Sequence, residues 1–153
     1  MKMEKNIKEQ LTAACVAYAE SRIGRFNHTM KELEEALKPE SRSCMGDKYE
    51  TSRALLHLEF EKISGQVEQF NSLRKTASII GSQPSSESVG FGSLVRTTAA
   101  NYFISIPAGE IDAEGEKFYA VGINSPVAQE LLGKKAGDEF VLNGKSFKIT
   151  GVE

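Results

Sequence analysis

Apolar side chains recur at steps of three and four residues through the first quarter of the chain, at Leu11, Cys15, Ala19, Ile23, Phe26, Met30, Leu33 and Leu37. That spacing lays a single stripe along one helix. Gly24 interrupts it weakly, at about 1 kcal/mol relative to Ala. Pro39 ends it, since proline lacks an N–H and crowds the preceding turn. A second stripe follows at Tyr49, Leu56, Phe60, Ile63, Val67, Phe70 and Leu73. Each helix of about 30 residues extends roughly 45 Å, and a narrow stripe at that length predicts a coiled coil. A turn centred near Arg42 and Ser43 pairs Leu37 with Tyr49, Met30 with Leu56, Phe26 with Phe60, Ile23 with Ile63 and Cys15 with Phe70. The expectation is an antiparallel hairpin with its loop over 39–46.

The pattern then changes. Gly81-Ser82-Gln83-Pro84-Ser85-Ser86-Glu87-Ser88 is polar and rich in breakers, and reads as a linker. Short strand-like runs follow over 93–97, 102–106, 118–123, 139–142 and 146–152. Asn143-Gly144 between the last two is a hairpin signal, because both central residues of that turn favour positive φ. One short helix breaks the series, with Ser125 as N-cap, Pro126 at its first position and Gly133 closing it. The predicted class is α+β: a helical hairpin over 1–79, a linker over 80–89, and a small twisted sheet with one helix over 90–153.

Composition narrows the function. The chain has 153 residues, 40% apolar and 26% charged, which is globular rather than disordered. Through residue 78 there are 13 basic and 12 acidic side chains; beyond it there are 6 and 9. Neither half is a basic block, which argues against a polyanion as principal partner and favours a protein. No apolar run approaches the roughly 20 residues that span a bilayer, and the charged start does not read as a signal peptide. Cys15 and Cys44 lack both metal-ligand spacing and disulfide density. A soluble, reduced, cytoplasmic monomer is expected.

The chemistry concentrates where the second helix begins, in Cys44-Met45-Gly46-Asp47-Lys48-Tyr49-Glu50. Asp47 and Glu50 are three apart and share a helix face. Two such carboxylates suit Mg²⁺, provided another protein supplies the remaining ligands. The same pair is also a capping box, with Asp47 capping free N–H groups and Glu50 reaching back. Both readings stand on spacing alone. His28 and His57 fall at one height of the hairpin, but two imidazoles are too few for structural zinc. Cys44 has no activating histidine nearby and reads as a spectator thiol.

The second half carries a longer motif, Ile123-Asn124-Ser125-Pro126-Val127-Ala128-Gln129-Glu130-Leu131-Leu132-Gly133-Lys134-Lys135-Ala136-Gly137-Asp138. It resembles the Ser-Pro-(aliphatic)-Ala-x-x-Leu-(aliphatic)-Gly-Lys pattern, with trailing Gly-Asp, of the Gre family of bacterial transcript-cleavage factors. Gly46-Asp47-x-x-Glu50 is similar to that family's tip sequence. The resemblance implies a C-terminal domain of FK506-binding-protein-like fold that docks on RNA polymerase, through a surface including Ser125, Pro126, Ala128, Leu131, Gly133 and Lys134. It implies a hairpin entering the secondary channel, where Asp47 and Glu50 help hold the second Mg²⁺ while the polymerase cuts backtracked RNA. The protein would then be an accessory factor rather than an enzyme. It would hold no cofactor when free and touch transcript only through the polymerase. One departure stands out: where the family continues Asn-Ala-Glu-Tyr, this chain has Thr51-Ser52-Arg53-Ala54. That favours, as an alternative, a channel-binding regulator that does not stimulate cleavage. A stand-alone binding module or prolyl isomerase is the more distant reading.

Overall fold

A computed structural model describes the backbone of residues 2–38, 47–80 and 86–153, and the side chains of residues 7–38, 50–80 and 86–153. The class is α+β. Two long helices, α1 (Lys2–Leu37) and α2 (Asp47–Ser78), precede strands β1 (Leu94–Thr97), β2 (Asn101–Ser105), β3 (Gly109–Ala113) and β4 (Glu116–Gly122). A short helix, α3 (Pro126–Leu131), then leads to β5 (Glu139–Leu142) and β6 (Lys145–Val152). The chain forms two compact units, one of residues Ala19–Leu73 and one of Met1–Tyr18 with Arg74–Glu153. The expected tip loop over 39–46, with Cys44, lies outside the described residues, as does the 81–85 part of the expected linker.

In the helical unit α1 and α2 run antiparallel, as their stripes predict. Their register differs from the expected one. Phe26 meets Phe70, with ring centroids 5.6 Å apart, and not Phe60, an offset of ten residues along α2. At 1.5 Å per residue that is a slip of about 15 Å. Among the described residues of this unit, Ala19 and Ile63 are the buried apolar ones. Gly24 and Gly65 both sit inside helices with open space where a Cβ would be. Glycine there costs helix stability without a steric reason. Gly24→Ala and Gly65→Ala should each stabilise the protein by about 1 kcal/mol, read as an upward shift of the thermal midpoint.

The other unit is built on a six-stranded mixed sheet of order β3-β4-β2-β1-β6-β5. All neighbours are antiparallel except β2 and β4, which pair in parallel from Tyr102–Tyr119 to Ser105–Gly122. Tyr102, Phe103, Ile104 and Ser105 are buried in succession, so β2 is covered on both faces. One face packs under α3, in a core of Val95, Tyr102, Ile104, Leu131, Phe140 and Ile149. On the other face Cys15 Sγ of α1 lies 3.4 Å from Ser105 Oγ. Cys15 is thus buried in the sheet unit and is not the seam partner of Phe70, as its place in the stripe led us to expect.

Burial pushes the Cys15 thiol pKa up from its ordinary 9.0, against smaller downward effects of hydrogen bonds from Ser105 and Ile106. Burial also raises the Tyr102 phenol, with the neighbouring Tyr119 adding to it. Both groups hold their protons more tightly folded than unfolded. Their contribution is therefore intact below the unfolded pKa values and is lost as pH rises above about 9. Urea midpoints measured from pH 7 to pH 10.5 should fall on the alkaline side. The fall should be shallower in Cys15→Ala, compared with that variant's own midpoint at pH 7.

The hairpin between β5 and β6 has Asn143 and Gly144 at φ 54° and 78°, the two positive values its sequence demands. A second hairpin of the same kind joins β3 to β4 through Glu114 and Gly115, at φ 50° and 79°. The sequence reading placed neither β3 nor this turn.

Candidate functional site

The tip of the helical unit is assembled by α2. The helix opens at Asp47, whose side chain lies outside the described ones. Glu50, in its first turn, is exposed. Acids near a helix N-terminus are favoured by the partial positive charge of the unpaired N–H groups. With Phe26 level with Phe70, the last residues of α1 come level with the stretch of α2 around His57 and Phe60. Glu34, Leu37 and Lys38 accordingly line a shallow groove of 380 Å³ with those two residues. The turns of α2 before His57, which carry Glu50, therefore run past the end of α1.

Arg53 ties this extension down. Its guanidinium Nη1 donates a hydrogen bond of 2.5 Å to the carbonyl oxygen of Leu37, the last residue of α1. The final carbonyls of a helix have no partner within it, and a cation there also opposes the negative end of the helix dipole. Arg53 does both from the neighbouring helix. In the sequence Arg53 shows itself as part of the departure from the family's tip pattern; its bonding role needs the chain to fold back before it exists. Lys38 continues the pattern one residue on, pairing with Glu35 at 3.0 Å.

Glu50, Arg53 and His57 follow one another at steps of three and four, so they share a face of α2 that leads from the tip into the groove. The two histidines are not brought together. His28 is exposed and lies 3.8 Å from Glu32 on its own helix, whereas His57 lines the groove. Among the described residues no three His, Cys, Asp or Glu side chains converge as a metal site.

The motif of the sheet unit resolves into a chain of structural roles. Ser125 caps α3, its hydroxyl accepting from the Ala128 N–H at 3.3 Å, with Pro126 in the first turn. Ala128 and Leu131 have no exposed surface and belong to the core beneath the helix. Gly133, at φ 80°, turns the chain out of α3. Its N–H donates to Val89 O at 2.9 Å, and Val89 N–H donates to Lys134 O at 2.8 Å. The end of the linker is thereby stitched beside the helix. Gly137, at φ 95°, occupies the third place of a turn closed by Asp138 N–H on Lys135 O at 3.0 Å. A positive φ there is what a type II turn requires. The Asp138 carboxylate accepts from Lys135 N–H at 2.8 Å. Of the six residues expected to dock a partner, Ala128 and Leu131 act from inside, by shaping the domain. Pro126 and Gly133 are exposed on its surface, and Ser125 and Lys134 are half-buried.

The aromatic residues needed for an isomerase groove are largely spent on packing. Phe103 and Phe118 are fully buried and Phe140 nearly so, and Phe140 stacks on Phe147 at 5.8 Å. No described helix is long and apolar enough to cross a membrane. No protein-family model matches this chain, and no curated protein matches it.

Proposed function

We propose that this chain is a Gre-type accessory factor of bacterial RNA polymerase. Its sheet unit would be an FK506-binding-protein-like docking domain at the rim of the secondary channel, and its helical hairpin would enter that channel. The observation that carries the reading is the tip. A pair of antiparallel helices ends with α2 running past α1, and the acids Asp47 and Glu50 stand in the first turn of that extension. From residue 47 to residue 73, α2 measures about 40 Å, a length suited to a deep, narrow channel. A six-stranded mixed sheet with one short helix is compatible with the docking domain.

The carboxylates fit Mg²⁺ in chemical type, being hard oxygen donors, and in number, since Mg²⁺ takes few protein ligands and keeps waters. Held between these carboxylates and the polymerase, such an ion would supply Lewis-acid activation of a water and charge stabilisation of the leaving oxygen. The residues of this chain hold and orient: Asp47 and Glu50 lend oxygens, and Arg53 fixes the helix that carries them to the end of α1.

The test is a stalled, backtracked elongation complex given the full chain and Mg²⁺. Release of short 3′ RNA fragments at a rate well above that of polymerase alone supports the reading. Absence of any association with core polymerase defeats it. A second reading, a channel-binding regulator without cleavage activity, draws on Arg53, which puts a positive charge one turn from Glu50. Association without fragment release would select it.

A further inference from the structure

The last turn of α1 carries the wrong charges for its position. It holds Glu34 and Glu35 and no basic residue, where the negative end of the helix dipole favours cations. Lys38, one residue on, is exposed and pairs with Glu35 at 3.0 Å, which answers one of the two acids. The cation on the last carbonyl comes from α2, whose Arg53 Nη1 donates to Leu37 O. Arg53 thus supplies to the end of α1 what the sequence of α1 lacks.

The same bond acts on α2. Before Arg53 that helix runs past the end of α1, which offers it no further seam. Helix ends without tertiary contacts fray. Glu50 lies three residues before Arg53, about 4.5 Å along the axis and about 60° round it. Pinning Arg53 therefore fixes both the height and the face at which Glu50 is presented. We infer that Arg53 is the positioning residue of the tip, a cationic donor on the last carbonyl of α1 that orders the start of α2 and so aims Glu50. Its charge is then committed to the acid-rich end of α1 and does not act against the tip acids. The aiming of Glu50 for cleavage rests on the proposed function; the ordering of α2 stands apart from it.

The experiment compares the full-length wild type, Arg53→Met and Arg53→Lys by amide hydrogen exchange and by cleavage of a backtracked elongation complex. Methionine keeps arginine's helix propensity without donor or charge, and lysine keeps both. In Arg53→Met the amides of residues 51–54 should exchange about tenfold faster, while those around Ile63 keep their rate. Its maximal cleavage rate should fall about tenfold, with the half-saturating concentration of the protein changed less than about twofold. Arg53→Lys should recover most of both losses. Unchanged exchange over 51–54 or unchanged cleavage in Arg53→Met overturns the inference, as does Arg53→Lys behaving like Arg53→Met. Faster cleavage by Arg53→Met overturns it in favour of a charge that opposes the acids. A wild type that releases no fragments and does not bind polymerase defeats the proposed function, and the exchange rates then decide the ordering role by themselves.

Discussion

Truncating Leu131 to alanine is expected to destabilise the protein by about 2–5 kcal/mol, the range for a fully buried leucine. The side chain has no exposed surface and packs among Val95, Tyr102, Ile104, Phe140 and Ile149. Its helix is only six residues long, too short to persist without its contact to the sheet. The surrounding residues belong to strands whose positions the hydrogen-bonded ladder fixes, so the cavity will not readily collapse. Domains of this size have only about 5–15 kcal/mol to lose. With no Trp in the chain, near-ultraviolet circular dichroism of the tyrosines reports unfolding in urea, Tyr102 and Tyr119 lying in the sheet unit. Glu130→Ala, one position earlier and exposed, should change stability by no more than about 0.5 kcal/mol. Equal effects at the two positions would mean that the motif is not read out through packing.

Local signals carried most of the fold. The two helices follow from their stripes, and the cap, first turn and closing glycine of α3 follow from Ser125, Pro126 and Gly133. The last hairpin follows from Asn143-Gly144. Strand β3 escaped because Gly109-Glu110-Ile111-Asp112-Ala113 lies at the sheet edge with only a half-buried Ile111 and a small, buried Ala113 between its acids, too weak an apolar signal to read as a strand. Its turn escaped because Glu114 takes a positive φ, a conformation that asparagine or glycine would announce and glutamate does not. The parallel pairing of β2 with β4 joins residues 17 apart, Tyr102 with Tyr119 through Ser105 with Gly122, and no local pattern encodes it.

The hairpin register shows a different limit. A stripe repeating every three to four residues looks the same after a slip of ten, close to three turns, so apolar still meets apolar. Phe26 finds an aromatic partner at either Phe60 or Phe70. What breaks the tie is not in the stripe. Cys15, part of it by spacing, belongs to the sheet unit beside Ser105, and Ile7 and Leu11 are buried with that unit rather than in the helical one. The consequence reaches the candidate site. In the symmetric register the acids would stand level with the end of α1; in the observed one they stand beyond it, and Arg53 meets Leu37.

On the proposed function, Glu50→Gln should lower the rate of transcript cleavage by about a hundredfold or more while polymerase affinity changes less than about twofold. A lost metal ligand removes several kcal/mol of transition-state stabilisation, and each 1.36 kcal/mol is about tenfold in rate. Glutamine has nearly the helix propensity and shape of glutamate, and Glu50 is exposed, so fold and docking are kept. The capping role predicts something else. Losing an acid from a first helical turn costs about 0.3–1 kcal/mol of stability through the dipole, with cleavage little altered. Titrating Mg²⁺ separates the two, because a missing ligand shifts the concentration of Mg²⁺ needed for half-maximal rate upward and a missing cap does not. If Glu50→Gln cleaves at the wild-type rate over the whole Mg²⁺ range, the tip carboxylate serves only its own helix, and the hairpin acts on the polymerase by occupancy alone.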